Sequence, residues 1–236
     1  MAEKAVLLSI LTSASSAGEE LIELWGKPRD GMRGLGVHHP KGRGDSALGR
    51  AVLRALLFRL TRTDRWDLLV DPRGKPLVHS SGAPSNSPAI SMGHSRGAVI
   101  CAVANMEILG VDIERRRSRP YAAIASYAFG VREQGRVAAG GAAAFYRIWT
   151  LREAIAKATG DGLSLAADGR DRVHDGPDSG RWHQHLPEFG ARDWLLGHWC
   201  IEDDLSVALA ALPPPDHRPD DWRIEFVDGD ALLRSR

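Results

Sequence analysis

The N-terminal third of the chain changes its hydrophobic pattern three times. Residues 5–11, AVLLSIL, form a short continuous apolar run that predicts a buried strand, and SSAGEELIELW after it predicts a helix. Residues 26–44 are rich in glycine and lack periodicity, which indicates a loop. Residues 45–61, DSALGRAVLRALLFRLT, repeat apolar positions at helical spacing and predict a strong helix, which Asp45 or Ser46 can cap.

The middle of the chain alternates strands and turns. WDLLVDPRGKPLV, residues 66–78, predicts a strand, a turn and a second strand. AVICAVA at 98–104 and ILGVDIE at 108–114 predict two strands joined by a turn near residues 105–106. The segment 84–91, PSNSPAIS, contains two prolines, so we expect a poor strand there.

The rest of the chain begins with an alanine-rich stretch, 121–144, which predicts helix interrupted by glycines. A further helix is predicted over 149–159. The polar stretch 166–180 and the sequence WHQH after it are expected to be loop exposed to solvent. Residues 193–212 predict a strand pair, and the proline-rich residues 213–222 predict an extended linker.

The order strand, helix, strands occurs about twice, although no literal sequence repeat is visible. We therefore expect an α+β fold made of two similar halves. The expected boundary lies near residues 105–108. It divides the chain into an N-terminal α+β half, residues 1–106, and a C-terminal α+β half, residues 107–236.

Composition and charge narrow the class of protein. The chain has 236 residues, 43% hydrophobic and 26% charged, as in ordinary globular proteins. The net charge of +1 gives no general case for nucleic-acid binding, and no apolar run approaches the ~18 residues of a membrane span. Cys101 and Cys200 lie in apolar runs, so we expect buried, reduced thiols and a cytoplasmic protein. The run at 5–11 is short and Glu3 precedes it, which argues against a signal peptide.

The sequence GVDIE places two carboxylates on one strand. Because side chains alternate faces along a strand, Asp112 and Glu114 share a face, about 7 Å apart. Two such carboxylates repel each other unless a cation neutralises them, and Mg²⁺ accepts this kind of ligand. The alternative is an edge strand whose acids pair with the arginines at 115–117.

The sequence WTLREAIAKATGDGL carries Glu153 and Lys157 one helical turn apart. Two structural interpretations explain Glu153: an ion pair with Lys157, or a capping box in which Thr150 begins the helix. The functional interpretation is a third carboxylate that joins Asp112 and Glu114 at a metal, with Lys157 beside phosphate oxygens. This segment alone does not decide between them.

The sequence GHSRG matches the nucleophile elbow of α/β-hydrolases, with Ser95 as the nucleophile. That motif needs a strand directly before it and a helix directly after it. Here the preceding segment is a poor strand and the following AVICAVA favours a strand. A turn that presents His94 and Ser95 to a phosphate or to a helix end is therefore the favoured interpretation.

Two further groups of residues are candidates for anion binding. The turn RGKP presents the cations Arg73 and Lys75, and GRGDSALGR places Arg43, Ser46 and Arg50 around the predicted start of a helix. Helix starts attract anions through their free N–H groups. The alternative for both groups is an ordinary exposed surface. The nine histidines and two cysteines show no zinc spacing.

The order of these sequences resembles the Sfp-type 4′-phosphopantetheinyl transferases. RGKP, ISMGHSRGAVICAVA, GVDIE and FYRIWTLREAIAKATGDGLSL follow the family's G-K-P, S-H-S-like turn, G-[IV]-D-[IVL]-E and W-[ST]-x-K-E-[AS]-x-x-K with G-x-G-L. The resemblance covers about residues 43–165. It implies two α+β halves related by a pseudo-twofold, with the active site in the cleft between them. It also implies transfer of the phosphopantetheine arm of coenzyme A to a serine of an acyl or peptidyl carrier protein, with release of adenosine 3′,5′-bisphosphate.

The resemblance also implies roles for particular residues. Asp112, Glu114 and Glu153 would hold Mg²⁺ on the CoA pyrophosphate, with Glu153 also a candidate base and Lys157 a pyrophosphate contact. His94 would contact a CoA phosphate. The other CoA contacts that it implies are Arg43, Ser46 and Arg50 for the 3′-phosphate, Arg73 and Ser95 in the two turns, and Lys75 and Pro76 at the adenine end.

The chain departs from the family pattern at Arg152, where the family has lysine, and at Gly93 and Ser91, where it has serine and asparagine. If the residue at 152 touches substrate, a guanidinium changes the contact geometry. We also expect a monomer. Basic residues at 115–119 and at Arg132, Arg136 and Arg147 either steer an acidic carrier or form a solvated surface. The competing hypotheses are a serine esterase using Ser95 and a non-catalytic CoA- or carrier-binding module.

Overall fold

The computed structural model describes most of the chain. It covers residues 4–12, 14–26, 43–72, 74–79, 87–162, 166–174, 176–177, 179–202 and 204–235. The contacts divide the chain into two compact units. Unit 1 consists of Met1–Leu109 and Asp220–Arg236, and unit 2 of Gly110–Pro219.

Each unit mixes helices with a four-stranded sheet, which confirms the α+β class. The strands are β1 Ala5–Thr12, β2 Asp67–Val70, β3 Pro76–His79, β4 Ala89–Ser95, β5 Ala98–Ala104, β6 Ile108–Arg115, β7 Gly180–His185, β8 Asp193–Ile201, β9 Leu205–Leu212 and β10 Arg223–Phe226. The helices are α1 Ser16–Trp25, α2 Arg43–Thr61, α3 Tyr121–Ala128, α4 Val131–Thr159 and α5 Gly229–Leu233. No helix in the described ranges is long and apolar enough to cross a membrane.

Unit 1 is built on a sheet with the strand order β10-β1-β5-β4. All seven residues of β5 are buried, as its continuous apolar sequence predicts. Helices α1 and α2 pack with this sheet, and α2 contributes Leu48, Leu53 and Leu56 to the core. A separate two-stranded ribbon, β2–β3, confirms the predicted strand, turn and strand.

The strand β4 corrects the prediction for the segment before GHSRG. Residues 89–95 pair with β5 along their whole length, from Ala89 opposite Ala104 to Ser95 opposite Ala98. Pro84 and Pro88 both precede the strand. They therefore remove no N–H group from the hydrogen-bonded ladder, and the argument against a strand does not apply.

The C-terminal residues complete unit 1. Strand β10 pairs in parallel with β1, from Ala5 opposite Arg223 to Leu8 opposite Phe226, and Trp222 and Leu232 are buried. The predicted division placed residues 107–236 together, whereas the contacts assign the last seventeen to unit 1. Parallel pairing between such distant segments leaves no local sequence signal.

Unit 2 is built on a sheet with the order β6-β9-β8-β7. All eight residues of β9 are buried, and β8 and β9 form the predicted strand pair. The sequence WHQH, predicted to be a solvated loop, belongs instead to strand β7. Its burial alternates: Gln184 is buried and Trp182 half-buried, whereas His183 and His185 are exposed. That alternation is the signal of an edge strand.

The long helix α4 reverses direction at Gly141. Its backbone there is non-helical, with φ 60° and ψ −139°, a conformation suited to glycine. In a continuous helix, Glu133 and Arg152 would lie about 28 Å apart along the axis. Their charged groups are 2.7 Å apart. Helix α4 therefore consists of a first arm, residues 131–140, and a second arm, residues 142–159, that lie side by side.

Candidate active site

Asp112 lies in the middle of β6 and is only 6% exposed. One carboxylate oxygen, Oδ1, accepts a hydrogen bond of 2.7 Å from Lys157 Nζ. The other oxygen, Oδ2, is buried and has no hydrogen-bond partner among the described residues. Burial raises the pKa of Asp112, Lys157 lowers it, and Glu114 raises it further. The carboxylate is thus paired on one side and open on the other.

A glycine allows this contact between β6 and the second arm of α4. A Cβ atom at Gly110 would lie 2.0 Å from the carbonyl oxygen of Ala154 and 2.6 Å from the amide nitrogen of Ala158. Only a residue without a side chain permits so close an approach of two backbones. The strand can therefore present Asp112 directly to Lys157.

Glu153, one turn before Lys157, is half-buried and has no hydrogen-bond partner in the part of the chain that the structure describes. Burial raises its pKa to about 7, with further increases from Asp112 and Glu114 and an opposing effect from Lys157. The three carboxylates and the lysine therefore influence one another electrostatically. The predicted surface ion pair between Glu153 and Lys157 is replaced by the pair between Asp112 and Lys157.

The capping-box interpretation is wrong. Thr150 lies within the second arm of α4, not at the start of a helix. Its hydroxyl donates to the carbonyl oxygen of Tyr146, 2.8 Å away, one turn earlier. The true N-terminus of α4 at Gly130 is capped by Asp171, whose carboxylate accepts from the backbone N–H groups of Arg132 and Glu133.

The chemistry of the site suits a hard cation. Carboxylate oxygens are the ligands that Mg²⁺ prefers, and Asp112 Oδ2 is an acceptor with no donor beside it among the described residues. No group of three His, Cys, Asp or Glu side chains in the described ranges is close enough to form a metal cage. The assignment of Asp112, Glu114 and Glu153 as metal ligands therefore stays a prediction.

Comparison with known proteins places this region in a family. Residues 108–210, which include β6, α4 and β9, match the model of the 4′-phosphopantetheinyl transferase superfamily. This part of the chain is thus similar to that superfamily. It is 29% identical over 134 residues to the 4′-phosphopantetheinyl transferase HetI of Nostoc sp. (strain PCC 7120). That alignment covers 54% of this chain and 56% of the relative, so the chain matches little more than half of the relative's length.

Arg152, at the position where Sfp-type transferases have lysine, is buried and saturated with internal partners. The side chain has no exposed surface. Its five N–H groups are distributed as follows: Nε to Ala166 O, Nη1 to Glu133 Oε2 and Arg170 O, and Nη2 to Ala128 O and Asp168 Oδ1. The guanidinium also lies 5.3 Å from the centre of the Phe129 ring. Arg152 is therefore not placed to contact a substrate.

Sequence reasoning missed the partners of Arg152. Glu133 is completely buried and also accepts from the backbone N–H groups of Arg172 and Val173. Asp168 pairs with both Arg152 and Arg172, and its pKa is lowered chiefly by hydrogen bonds from Arg172, although burial opposes the shift. These acids lie 19 and 16 residues from Arg152 in the sequence, so no helical spacing connects them.

The predicted CoA contacts lie in unit 1. Helix α2 packs on β4, with Gly49 against Met92, and β3 lies beside β4. Burial lowers the pKa of Arg50 and of Lys75, and Asp71 partly offsets the effect on Lys75. The remaining predicted contacts are placed as follows: Ser46 is half-buried in α2, Pro76 begins β3, His94 is exposed and Ser95 half-buried at the end of β4, the side chain of Arg43 at the start of α2 lies outside the described residues, and so does Arg73.

The GHSRG sequence forms a hairpin turn, not a nucleophile elbow. Arg96 and Gly97 both have positive φ, 47° and 82°, and they connect β4 to β5. Two such residues are typical of a type I′ hairpin. No helix follows Ser95, so the geometry that the esterase hypothesis requires is absent at this turn.

Most arginines of the predicted basic surface have interaction partners within unit 2. Arg115 pairs with Asp204, and Arg116 contacts Cys200. Cys200 is exposed, which corrects the expectation of a buried thiol, whereas Cys101 is buried as expected. The other arginines have these partners: Arg119 lies over the Tyr146 ring, Arg136 donates to Val173 O, and Arg147 donates to Pro177 O and lies over the Trp182 ring. Arg132 is exposed.

Proposed function

We propose that this chain transfers the 4′-phosphopantetheine arm of coenzyme A to a serine of an apo acyl or peptidyl carrier protein, in a reaction that depends on Mg²⁺. The observation that carries the proposal is the group formed by Asp112, Glu153 and Lys157. It combines an open carboxylate oxygen, a carboxyl group with a pKa of about 7 and a cation. The match of residues 108–210 to the 4′-phosphopantetheinyl transferase superfamily supports the reaction type.

We assign the role of base to Glu153, whose pKa without metal is about 7. A group that titrates near neutral pH can accept a proton and release it again within one catalytic cycle. The serine hydroxyl gives its proton to the Glu153 carboxylate while its oxygen bonds to the β-phosphorus of CoA. The bond from that phosphorus to the bridging oxygen breaks, and adenosine 3′,5′-bisphosphate leaves with the electron pair.

Lys157 and the carboxylates have the two remaining roles, which are phosphate contact and metal binding. The side chain of Lys157 is 31% exposed, so its ammonium group can contact a pyrophosphate oxygen while it holds Asp112 in place. Asp112, through its open Oδ2, and one of the two neighbouring carboxylates of Glu114 and Glu153 would hold Mg²⁺. When bound, this ion polarises the phosphate and neutralises charge on the leaving group.

In unit 1, we assign the adenosine part of CoA to the predicted contacts on α2, β3 and β4. Arg50 and Lys75 are partly buried cations whose charged forms are disfavoured by burial. A phosphate group beside such cations would restore the interaction that they lose with water. His94, exposed at the end of β4, adds a further donor.

The decisive experiment is incubation with CoA, Mg²⁺ and several apo carrier proteins, followed by intact-mass measurement of each carrier. Transfer adds about 340 Da, the mass of the arm. The gain should disappear in EDTA and return when Mg²⁺ is added in excess. The matched control is Glu19→Ala, which removes an exposed carboxylate of α1 and should transfer normally. No gain on any carrier at adequate Mg²⁺ would overturn the proposal.

A further inference from the structure

At the reversal of α4, the non-helical Gly141 joins the two arms, so the helical hydrogen bonding of the first arm does not continue into the second. A helix fixes the direction of each residue through hydrogen bonds to the preceding turn, and the non-helical Gly141 interrupts that series. The rotation of the second arm about its axis is therefore not fixed by the first arm and depends on contacts with the rest of unit 2. This matters because the second arm carries both Glu153 and Lys157.

Arg152 supplies such contacts from the residue next to Glu153. Its guanidinium bonds to Glu133 of the first arm, to the carbonyl oxygen of Ala128 at the end of α3, and to the segment 166–170 that follows α4. Three parts of unit 2 thus converge on one side chain of the second arm. All five of its N–H groups are used, and the side chain is wholly buried.

Lysine cannot reproduce this arrangement. An ammonium group has three donors at one point, whereas the guanidinium spreads five donors across a plane. Substitution by lysine leaves at least two of the five acceptors without their present donor. Two of the acceptors are carboxylate oxygens, one of the buried Glu133 and one of the partly exposed Asp168, and hydrogen bonds between charged groups are the stronger ones.

We propose that Arg152 is a positioning residue that fixes the rotation of the second arm and so holds Glu153 and Lys157 toward Asp112. This inference rests on the proposed function of that site. The tip of a glutamate lies about 7 Å from the axis of its helix, so a rotation of about 10° moves it roughly 1 Å. Displacements of this size are enough to weaken a metal site or a proton transfer.

The test is Arg152→Lys, measured first by Mn²⁺ binding to the protein without CoA, using electron paramagnetic resonance. We expect about ten-fold weaker binding, the usual cost of losing a residue that orients metal ligands. In the transfer assay we expect kcat to fall by a similar factor, about ten-fold, while KM for CoA changes less than about two-fold.

The matched control is Arg172→Lys. Arg172 binds the same Asp168, together with Glu188, but makes no side-chain bond to α4. It should lose thermal stability without losing Mn²⁺ affinity or kcat. Equal losses of Mn²⁺ affinity in both variants would overturn the inference, because the effect would then follow general destabilisation. Wild-type Mn²⁺ affinity in a folded Arg152→Lys protein would overturn it as well.

If the Arg152→Lys protein does not fold, Mn²⁺ binding is measured on the Asp168→Asn variant instead. It removes the carboxylate charge beside Nη2 and leaves the bonds from Arg152 to Glu133 and to the carbonyl oxygens. About three-fold weaker Mn²⁺ binding supports the inference, and unchanged binding contradicts it. Failure of the unaltered protein to bind Mn²⁺ would instead contradict the proposed function of the site, and the inference with it.

Discussion

The two units are alike in part of their strand order but differ in what their first strands carry. In unit 1 the sequence of neighbours is β1-β5-β4, and in unit 2 it is β6-β9-β8, so each first strand lies beside the last strand of a hairpin. Both first strands have eight residues, with a buried polar residue at the fifth position. It is Ser9 in β1 and Asp112 in β6. The fifth position of the first strand thus holds a neutral hydroxyl in unit 1 and a carboxylate in unit 2.

The third position of each first strand explains why only one carries a charge. Leu7 of β1 lies in the core cluster with residues of α1 and α2, so a side chain separates strand from helix. Gly110 of β6 lets the backbones of strand and helix meet. The lysine of that helix then reaches the strand and pairs with Asp112. A buried charge needs such a partner, and the glycine makes room for it.

The largest expected effect comes from making the fifth position of β6 like that of β1. Asp112→Ser removes the open carboxylate oxygen, so we expect transfer to fall by at least about 10³-fold, or about 4 kcal/mol in the barrier. The fold should survive, since Lys157 is partly exposed and can turn to solvent. Intact-mass kinetics and thermal unfolding measure the two effects. Retained transfer would show that Asp112 has only a structural role.

Gly110→Ala makes the third position of β6 more like that of β1. The added Cβ would overlap the backbone of α4, so we expect a loss of about 3 kcal/mol in the free energy of unfolding. The control is Gly135→Ala in the first arm of α4, where no atom beyond the neighbouring residues and the helix's own backbone lies within 4 Å of the new Cβ. That change should be neutral or stabilise by up to about 1 kcal/mol. Urea unfolding compares the two, and equal stabilities would refute the close approach.

The titration of Glu153 in unit 2 gives a smaller expected effect, which is on the pH dependence of the free energy of unfolding. Its pKa is raised from 4.5 to about 7 by folding, so the folded state holds a proton that the unfolded state releases. Without metal, stability should therefore fall as pH rises from about 4.5 to about 7. Glu153→Gln should remove about 1 kcal/mol of that decline, a value reduced for partial exposure to solvent. Chemical unfolding at pH 4.5 and 8 tests it, and identical slopes in both proteins would contradict it.

Glu225 of β10, in unit 1, gives the opposite dependence of stability on pH, and this is the smallest expected effect. It accepts hydrogen bonds from Arg59 and Arg223, which lower its pKa. Its stabilisation is therefore complete above its unfolded pKa of 4.5 and is lost as pH falls through the lower folded pKa. Glu225→Gln should cost about 0.5 kcal/mol at pH 7 and progressively less in acid. A larger cost in acid than at pH 7 would exclude this explanation.

The sequence predicts those elements whose signal is local. The continuous apolar run of β5 and the helical spacing of α2 identify both, and the β8–β9 pair follows from its apolar strands. The parts of the fold that depend on contacts between residues distant in sequence cannot be predicted from local signals. Lys4 pairs with Asp221 across 217 positions, and Glu133 meets Arg152 only because α4 turns back.

The candidate site shows the same difference between local signals, which the sequence reveals, and distant contacts, which it does not. Local spacing pairs Lys157 with Glu153, whereas the structure pairs it with Asp112, 45 residues earlier. The resemblance to a family brings the three carboxylates and the lysine together, but it gives no reason for the arginine at 152. That reason lies in acids that are remote in sequence and adjacent in the fold.

The parallel pairing of β10 with β1 has a consequence for synthesis on the ribosome. Every residue of unit 2 emerges before Arg223–Phe226, so unit 2 has its full sequence while unit 1 still lacks a strand. During that interval one edge of β1 exposes unpaired backbone groups, which invite pairing with other chains. Nascent chains that stop after β9 should therefore aggregate more readily than chains that extend past β10.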